Sequence, residues 1–309
     1  MASPMLTILI VNYNGKKFLA ECLESIKRHV SCTYEIIMVD NASVDGSCEF
    51  VSQRYPDVRL ISSKVNTGFT GGNNLGAEAA NGEYLLLLNN DTVVLTDIEP
   101  ALREFAESSL GALGCRLVYG DDSLQPSFGF DHKPLRLVLF WMLGDLIRSL
   151  DAAKLAETDS ERYEATQPGV GWVCGAFLLT KTSLWRSLGG LDTDYFMYVE
   201  DVDYCKRVIQ AGYRVEYYPG VKIIHYGGAG RPWIGLRALQ NTMRSYVIYT
   251  RKFHGGLSVL FLRPMLAMVL TLRSLVYGII GVVRNSTIHK EKCSGFMTVA
   301  CELLGRSKS

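Results

Sequence analysis

The chain predicts an α/β fold built on a doubly wound, Rossmann-like sheet with helices on both faces. Three observations predict it: short β-like runs alternate with helical patterns through the first 120 residues, the runs end in Asn and Asp, and no repeat or low-complexity stretch interrupts them. At 309 residues the chain can build one large α/β domain plus an appendage, or two ordinary domains. Its eight cysteines (Cys22, Cys32, Cys48, Cys115, Cys174, Cys205, Cys293, Cys301) form no CxxC pair and no Cys/His ligand spacing. They indicate neither zinc nor a disulfide scaffold, and read as reduced thiols of a cytosolic protein.

The elements follow in order. The apolar run 6–11 lacks a basic segment ahead of it and reads as a first strand rather than a signal peptide. Residues 16–28 place Phe18, Leu19, Cys22, Leu23 and Ile26 on one helical face, and 35–39 is a second strand, so a parallel βαβ unit opens the chain. Strands at 58–61 and 84–88 flank a helix over 73–80. A helix after Thr96 carries the capping-box pair Thr96 and Glu99, and 111–118 is a further strand. Residues 135–150 are amphipathic, with Leu139, Phe140, Trp141 and Met142 in one run, and suit either an acceptor-side lid or membrane patch, or core packing. A strand over 173–180, a helix over 202–211 closed by Gly212, and two short strands at 213–218 and 221–224 complete this part.

In such sheets ligands sit at the carboxyl ends of the strands, where the polar motifs of this chain fall. Asn12 and Tyr13 end the first strand and Asp40 the second. Asp40 suits a sugar hydroxyl or the imide N–H of a pyrimidine, or a turn of its own, and Tyr13 can pack on a base. The glycine-rich stretch 66–76, with Asn66, Gly72 and Asn73, can bring backbone N–H groups to a phosphate or ribose. It matches neither GxxxxGK[ST] nor GxGxxG, which argues against an ATPase and an NAD enzyme. The run Leu85 to Leu88 delivers Asn89, Asn90 and Asp91, an oxygen-rich triplet suited to Mg²⁺ or Mn²⁺ bridging a diphosphate. His225, closing another strand before Tyr226, Gly227 and Gly228, is a further ligand candidate.

The segment FMYVEDVDYC gathers Glu200, Asp201 and Asp203 behind an aromatic and apolar run. Crowded, partly desolvated carboxylates supply a general base near neutral pH, although a charged first turn of a helix looks the same in sequence.

The net charge of +1 conceals an asymmetry, because residues 231–309 hold twelve Lys/Arg against two Glu, a balance of +10 that leaves −9 on the rest. Residues 257–283 are apolar apart from Arg263, Arg273, Pro264 and a few small or hydroxyl residues. Basic with apolar points to an anionic membrane surface rather than to nucleic acid. Two arginines and a proline favour an interfacial or re-entrant element over a span, with buried core helices as the other possibility.

Together VNYNG, VDNASVDGS, NTGFTGGNNLGAEAANGEYLLLLNNDT, VCGAFLLTKTSLWRSLGGLDTDYFMYVEDVDYCKRVIQAGYRV and IIHYGG resemble the family 2 inverting glycosyltransferases of GT-A fold, the bacterial rhamnosyltransferase-like members above all. The resemblance runs in order over about residues 5–230. It implies a catalytic domain over 1–230, with a nucleotide half 1–120 and an acceptor half 121–230, and a helical membrane-associating extension over 231–309. By analogy Asp201 is the base, Glu200 and Asp203 hold the acceptor and poise the base, and Asp40 contacts the nucleotide. Asn12, Tyr13, Asn66, Gly72, Asn73 and Asn90 join it in binding the donor. Asp91, Asn89 and His225 hold a divalent metal, with two asparagines where a carboxylate often stands. The expected partners are a nucleoside diphosphate sugar, a glycan or lipid-linked acceptor and the inner face of the cell membrane, with a homo-oligomer compatible. A nucleotidyltransferase or a silent nucleotide-sugar-binding subunit is the alternative.

Overall fold

The structure, a computed structural model, describes residues 5–105, 109–143, 151–227 and 235–306. The first half contains β1 (Leu6–Asn12), α1 (Lys16–His29), β2 (Tyr34–Asn41), α2 (Ser47–Arg54), β3 (Arg59–Ser63), α3 (Gly68–Glu78), β4 (Tyr84–Asn89), β5 (Thr92–Val94), α4 (Glu99–Glu104) and β6 (Leu110–Val118). There follow β7 (Leu124–Gln125), β8 (Phe128–Gly129), α5 (Pro134–Leu143), β9 (Gln167–Pro168), β10 (Trp172–Val173), β11 (Phe177–Lys181), α6 (Thr182–Ser187), α7 (Glu200–Gln210), β12 (Arg214–His225), α8 (Leu236–Val283) and α9 (Thr287–Leu303). Contacts divide the chain into two compact units, one of Met1–Phe130, Ala156–Phe196 and Glu200–Ala229, the other of Asp131–Leu155, Met197–Val199 and Gly230–Ser309.

In the first unit the sheet runs β3-β2-β1-β4-β11-β6-β12-β5. β3, β2, β1 and β4 are parallel, as the βαβ pattern predicts. β11 runs antiparallel to both β4 and β6, so the sheet is mixed beyond its parallel β3-β2-β1-β4 half. Side chains alternate across it. Ile8, Ile10, Leu86 and Leu88 meet Leu19, Leu23 and Ile26 of α1 on one face, while Leu9, Ile37, Val39, Leu85 and Leu87 meet Ala77, Trp185 and Tyr204 on the other. β4 is therefore buried on both faces, the reason its sequence is an unbroken leucine run.

Four local expectations are corrected. The predicted helix at 73–80 begins instead at Gly68, because its glycines are packing positions: a Cβ on Gly72 would sit 2.7 Å from Val11 Cγ1. Thr96 makes no capping box; its hydroxyl accepts the Lys222 N–H at 2.9 Å, and Asp97 Oδ1 takes the Glu99 N–H at 3.1 Å. The strand 173–180 is broken into β10 and β11 around Gly175, and the two short strands at 213–224 are one, β12, with a bulge between Tyr218 and Lys222. α2 and the three-residue β5 went unpredicted.

The second unit is helical. α8 is 48 residues long, departs from helical geometry at Gly255 (φ 81°) and includes Pro264. α9 folds back antiparallel along it, with Ser274 Oγ donating to Cys293 O at 2.7 Å. Arg263 Nε donates to Leu303 O at 2.7 Å, closing the C-terminus of α9. Arg273 lies over the rings of Trp141 and Phe296 and donates to Trp141 O at 2.8 Å. Ser245 Oγ of α8 donates to Met197 O at 3.3 Å. Of the predicted 135–150 segment, 144–150 lies outside the described residues, as do Gly228, the boundary at 230 and Arg231.

Candidate active site

The parallel strands bring Asn12, Asp40 and Asn89 to one end of the sheet, since Asn12 pairs in register with Asp40 and Val11 with Asn89. Their side chains form a chain of hydrogen bonds. Asn90 Nδ2 donates to Asn12 Oδ1 at 2.7 Å, and Asn12 Nδ2 donates to Asp40 Oδ1 at 2.9 Å and Ser43 Oγ at 3.1 Å. Asp40 Oδ2 accepts the Ser43 N–H at 2.9 Å. Asn12 and Asp40 are both buried, so they shape the turn, and only the lone pairs of Asp40 left open by Asn12 and Ser43 can reach a ligand. Tyr13, at 53% exposure, is the ring that faces out. Gly15 makes room for this network, for a Cβ there would sit 2.0 Å from Asn90 Nδ2.

Asn66 is drawn into a second cluster that sequence reading missed. Asn41 Nδ2 donates to Asn66 Oδ1 at 3.0 Å and to Gly68 O at 2.8 Å, while its Oδ1 accepts the Thr67 N–H at 3.0 Å. Gly72 and Asn73 do not line an open cradle. Both are buried in α3, with Asn73 Nδ2 donating to Phe69 O at 2.9 Å. The N–H of Phe69, in the first turn, is taken by Phe196 O at 2.9 Å.

The metal candidates do converge. His225 Nε2 lies 3.1 Å from Asn89 Nδ2 and 3.4 Å from Asp91 Oδ1. His225 Nδ1 meets Gln125 Oε1 at 3.0 Å, and Gln125 Nε2 donates to Gly227 O at 3.5 Å, which orients the amide. An imidazole whose Nδ1–H is held by a carbonyl oxygen presents its Nε2 lone pair, the arrangement of a ligating histidine with its outer partner. Gln125 has no signature in sequence, because it sits in a turn-rich piece 100 residues from His225. Among the described residues no three His, Cys, Asp or Glu gather around one point. One carboxylate, one imidazole and one amide fit a hard cation that shares its shell with a diphosphate and water, rather than an all-protein cage.

The three carboxylates differ sharply. Asp203 is fully buried, bound by Arg207 Nε at 2.6 Å and by Tyr195 OH at 3.2 Å. Arg207 also donates to Leu188 O and Gly190 O, at 2.8 and 2.7 Å. Asp203 thus anchors α7 and does not hold an acceptor, because no surface of it remains to do so. Glu200 is buried with Oε2 unpaired, and burial, reinforced by the neighbouring Asp201 and Asp203 charges, holds its carboxyl well above the usual range. Asp201 is partly exposed. Its Oδ2 accepts the Gly175 N–H at 2.9 Å and its Oδ1 the Val202 N–H at 2.8 Å. Desolvation raises its pKa, against these hydrogen bonds. Just upstream, Tyr198 and Val199 both lie in the left-handed region, at φ 74° and 70°.

The sequence pattern of glycosyl transferase family 2 matches residues 7–147, which hold every strand end described above from Asn12 to Asp91. That stretch is a glycosyl transferase family 2 domain. The glycosyltransferase is 28% identical over 235 residues to N-acetylglucosaminyl-diphospho-decaprenol L-rhamnosyltransferase of Mycobacterium tuberculosis (strain ATCC 25618 / H37Rv), covering 72% of this chain and 76% of that one. It is 29% identical over 231 residues to rhamnosyltransferase WbbL of Escherichia coli (strain K12), covering 72% and 83%. Its fold is GT-A, shared with the mannosyltransferase PcManGT of Pyrobaculum calidifontis solved with GDP-Man and Mn2+, at a TM-score of 0.58 and 16% identity over 98% of this chain and 87% of that one.

Proposed function

We propose that this glycosyltransferase works by inversion, moving rhamnose from a nucleoside diphosphate sugar to a hydroxyl of a lipid-linked glycan during cell-surface polysaccharide synthesis. Both the mycobacterial and the E. coli relative are rhamnosyltransferases, which supports the sugar, and the N-acetylglucosaminyl-diphospho-decaprenol of the mycobacterial enzyme supports the acceptor class. One observation carries the mechanism. Gly175 donates its N–H to Asp201, and the adjacent Ala176 carbonyl accepts the Asn89 N–H at 3.1 Å, so two residues link the candidate base to the candidate metal set.

Asp201 accepts the acceptor hydroxyl proton as that oxygen attacks the anomeric carbon and the bond to the diphosphate breaks. Burial, with Oε2 unpaired, and the neighbouring carboxylate charges favour the protonated form of Glu200, so Asp201, whose oxygens accept two backbone N–H groups, is the member of the pair that carries charge more readily. Asp91 and His225 Nε2 would hold a Mg²⁺ or Mn²⁺ ion, with the Asn89 amide turned to free that nitrogen. When bound, the ion neutralises charge developing on the leaving diphosphate. Tyr13 packs on the base, an open lone pair of Asp40 accepts a base N–H, and Asn12, Asn66 and Asn90 hold the loops that carry them. Residues 1–230 carry the catalytic residues, although Asp131–Leu155 and Met197–Val199 within them belong to the helical unit, and 231–309 are the extension that keeps the enzyme on the cytoplasmic face of an anionic membrane.

Product analysis tests this. Incubation with a nucleoside diphosphate sugar and a lipid-linked acceptor should release free nucleoside diphosphate and give product of inverted anomeric configuration by NMR. Pyrophosphate release means a nucleotidyltransferase, and intact donor after long incubation means a binding subunit.

A further inference from the structure

The two arginines that interrupt the apolar run 257–283 in sequence do not interrupt it in space. Arg263 is spent on the C-terminus of α9 and Arg273 between Trp141 and Phe296. Twelve residues of this run are exposed, from Leu257 through Leu272 and Ile279 to Val283, and every one is apolar. The stripe runs about 40 Å along α8 at 1.5 Å per residue. Exposed cations stand at both ends, Arg251 and Lys252 before it and Arg284 and Lys290 after it. Ser274, Tyr277 and Gly281, which meet α9, lie on the opposite side of the helix by its 3.6-residue period.

We propose that this face of α8 lies in the plane of a single anionic leaflet, its apolar side chains in the acyl layer and its end cations among the headgroups, with α9 above it toward water. This deepens the membrane association proposed above and rests on it. The length of α8 alone would allow it to span, but α9 does not. Lys292 Nζ lies 4.9 Å from the Tyr277 ring centroid, and at the other end the Arg263 guanidinium donates to the backbone carbonyls of Leu303 and Glu302, while the Glu302 carboxylate accepts from Gln240 Nε2. Charges on the hairpin therefore leave an apolar slab of about 21 Å between Arg263 and Tyr277, short of the roughly 30 Å a bilayer core requires. Lys290 and Glu291 on α9 are exposed, where an in-plane α8 leaves them in water.

The full chain, with Gly256→Cys and Thr287→Cys introduced singly, should float with sealed phosphatidylglycerol/phosphatidylcholine vesicles. High salt should weaken flotation without abolishing it, and Leu272→Glu with Ile279→Glu should lower it at least tenfold. Both introduced thiols, followed by mass mapping of their peptides, should react with an impermeant maleimide added outside. Protection of one until detergent is added would mean a span and overturn the proposal. So would absence of flotation, including the case in which the chain forms a dimer that the two glutamates dissociate. Flotation requires no turnover, and nucleoside diphosphate release on detergent-dispersed acceptor requires no vesicle, so the two readings fail separately.

Discussion

Gly175 and Asp201 are joined by a 2.9 Å hydrogen bond from backbone N–H to carboxylate, made possible because the strand expected over 173–180 opens between β10 and β11. In an unbroken antiparallel pairing that N–H would face a neighbouring strand. The break gives the carboxylate a rigid partner that does not titrate.

Asp201→Asn keeps volume and polarity while removing the proton acceptor. Turnover should fall about 10²–10⁴-fold with nucleotide-sugar affinity nearly unchanged, measured as nucleoside diphosphate release beside calorimetric binding. Near-normal kcat would remove Asp201 from the role of base.

Glu200 should behave as a neutral group. Its folded pKa is raised, so its contribution to stability is full below the unfolded carboxyl value and is lost as pH rises toward the folded one. Glu200→Gln should therefore raise Tm more at pH 8 than at pH 4, and leave the acid limb of kcat/KM, set by Asp201, where it was. A limb displaced to lower pH would mean that Glu200 is charged in the working enzyme.

Asp203→Ala should act on stability first. Breaking a buried ion pair by removing one partner costs about 3–5 kcal/mol, here the Arg207 pair and the two carbonyls that Arg207 holds. Urea titration should show the loss. Unchanged stability with loss of acceptor binding would return Asp203 to the substrate.

Gln125→Leu removes the partner that orients His225 without touching the candidate ligands. Mn²⁺ affinity, or activity at limiting Mn²⁺, should fall about 10–100-fold, and high Mn²⁺ should restore it. Activity equal in EDTA and Mn²⁺ for the unaltered enzyme would eliminate the metal role of Asp91 and His225 altogether.

What was legible in the sequence was whatever depended on short-range pattern. The alternation of β1 and β2, the leucine run of β4 and the Asn and Asp residues at their ends were visible because the parallel half of the sheet is built from local units. The start of α3 was hidden by its glycines, whose low helix propensity is overridden by close packing on Val11 and Leu9. Gln125 and Asn41 escaped because their partners are distant in sequence, and Asp203 looked catalytic because its neutralising arginine lies one helical turn on, outside the motif. Arg263 and Arg273 misled in the same way, as charges whose destinations only folding reveals.

The backbone at Tyr198 and Val199 sets stability and turnover against each other. Left-handed geometry is costly for a tyrosine and more so for a β-branched valine, so glycine at either position would ease folding. It would also give conformational freedom to the two residues that lead directly into the carboxylates of α7. Random variants selected only for heat resistance should accumulate changes at these positions, and variants screened for sugar transfer should discard them.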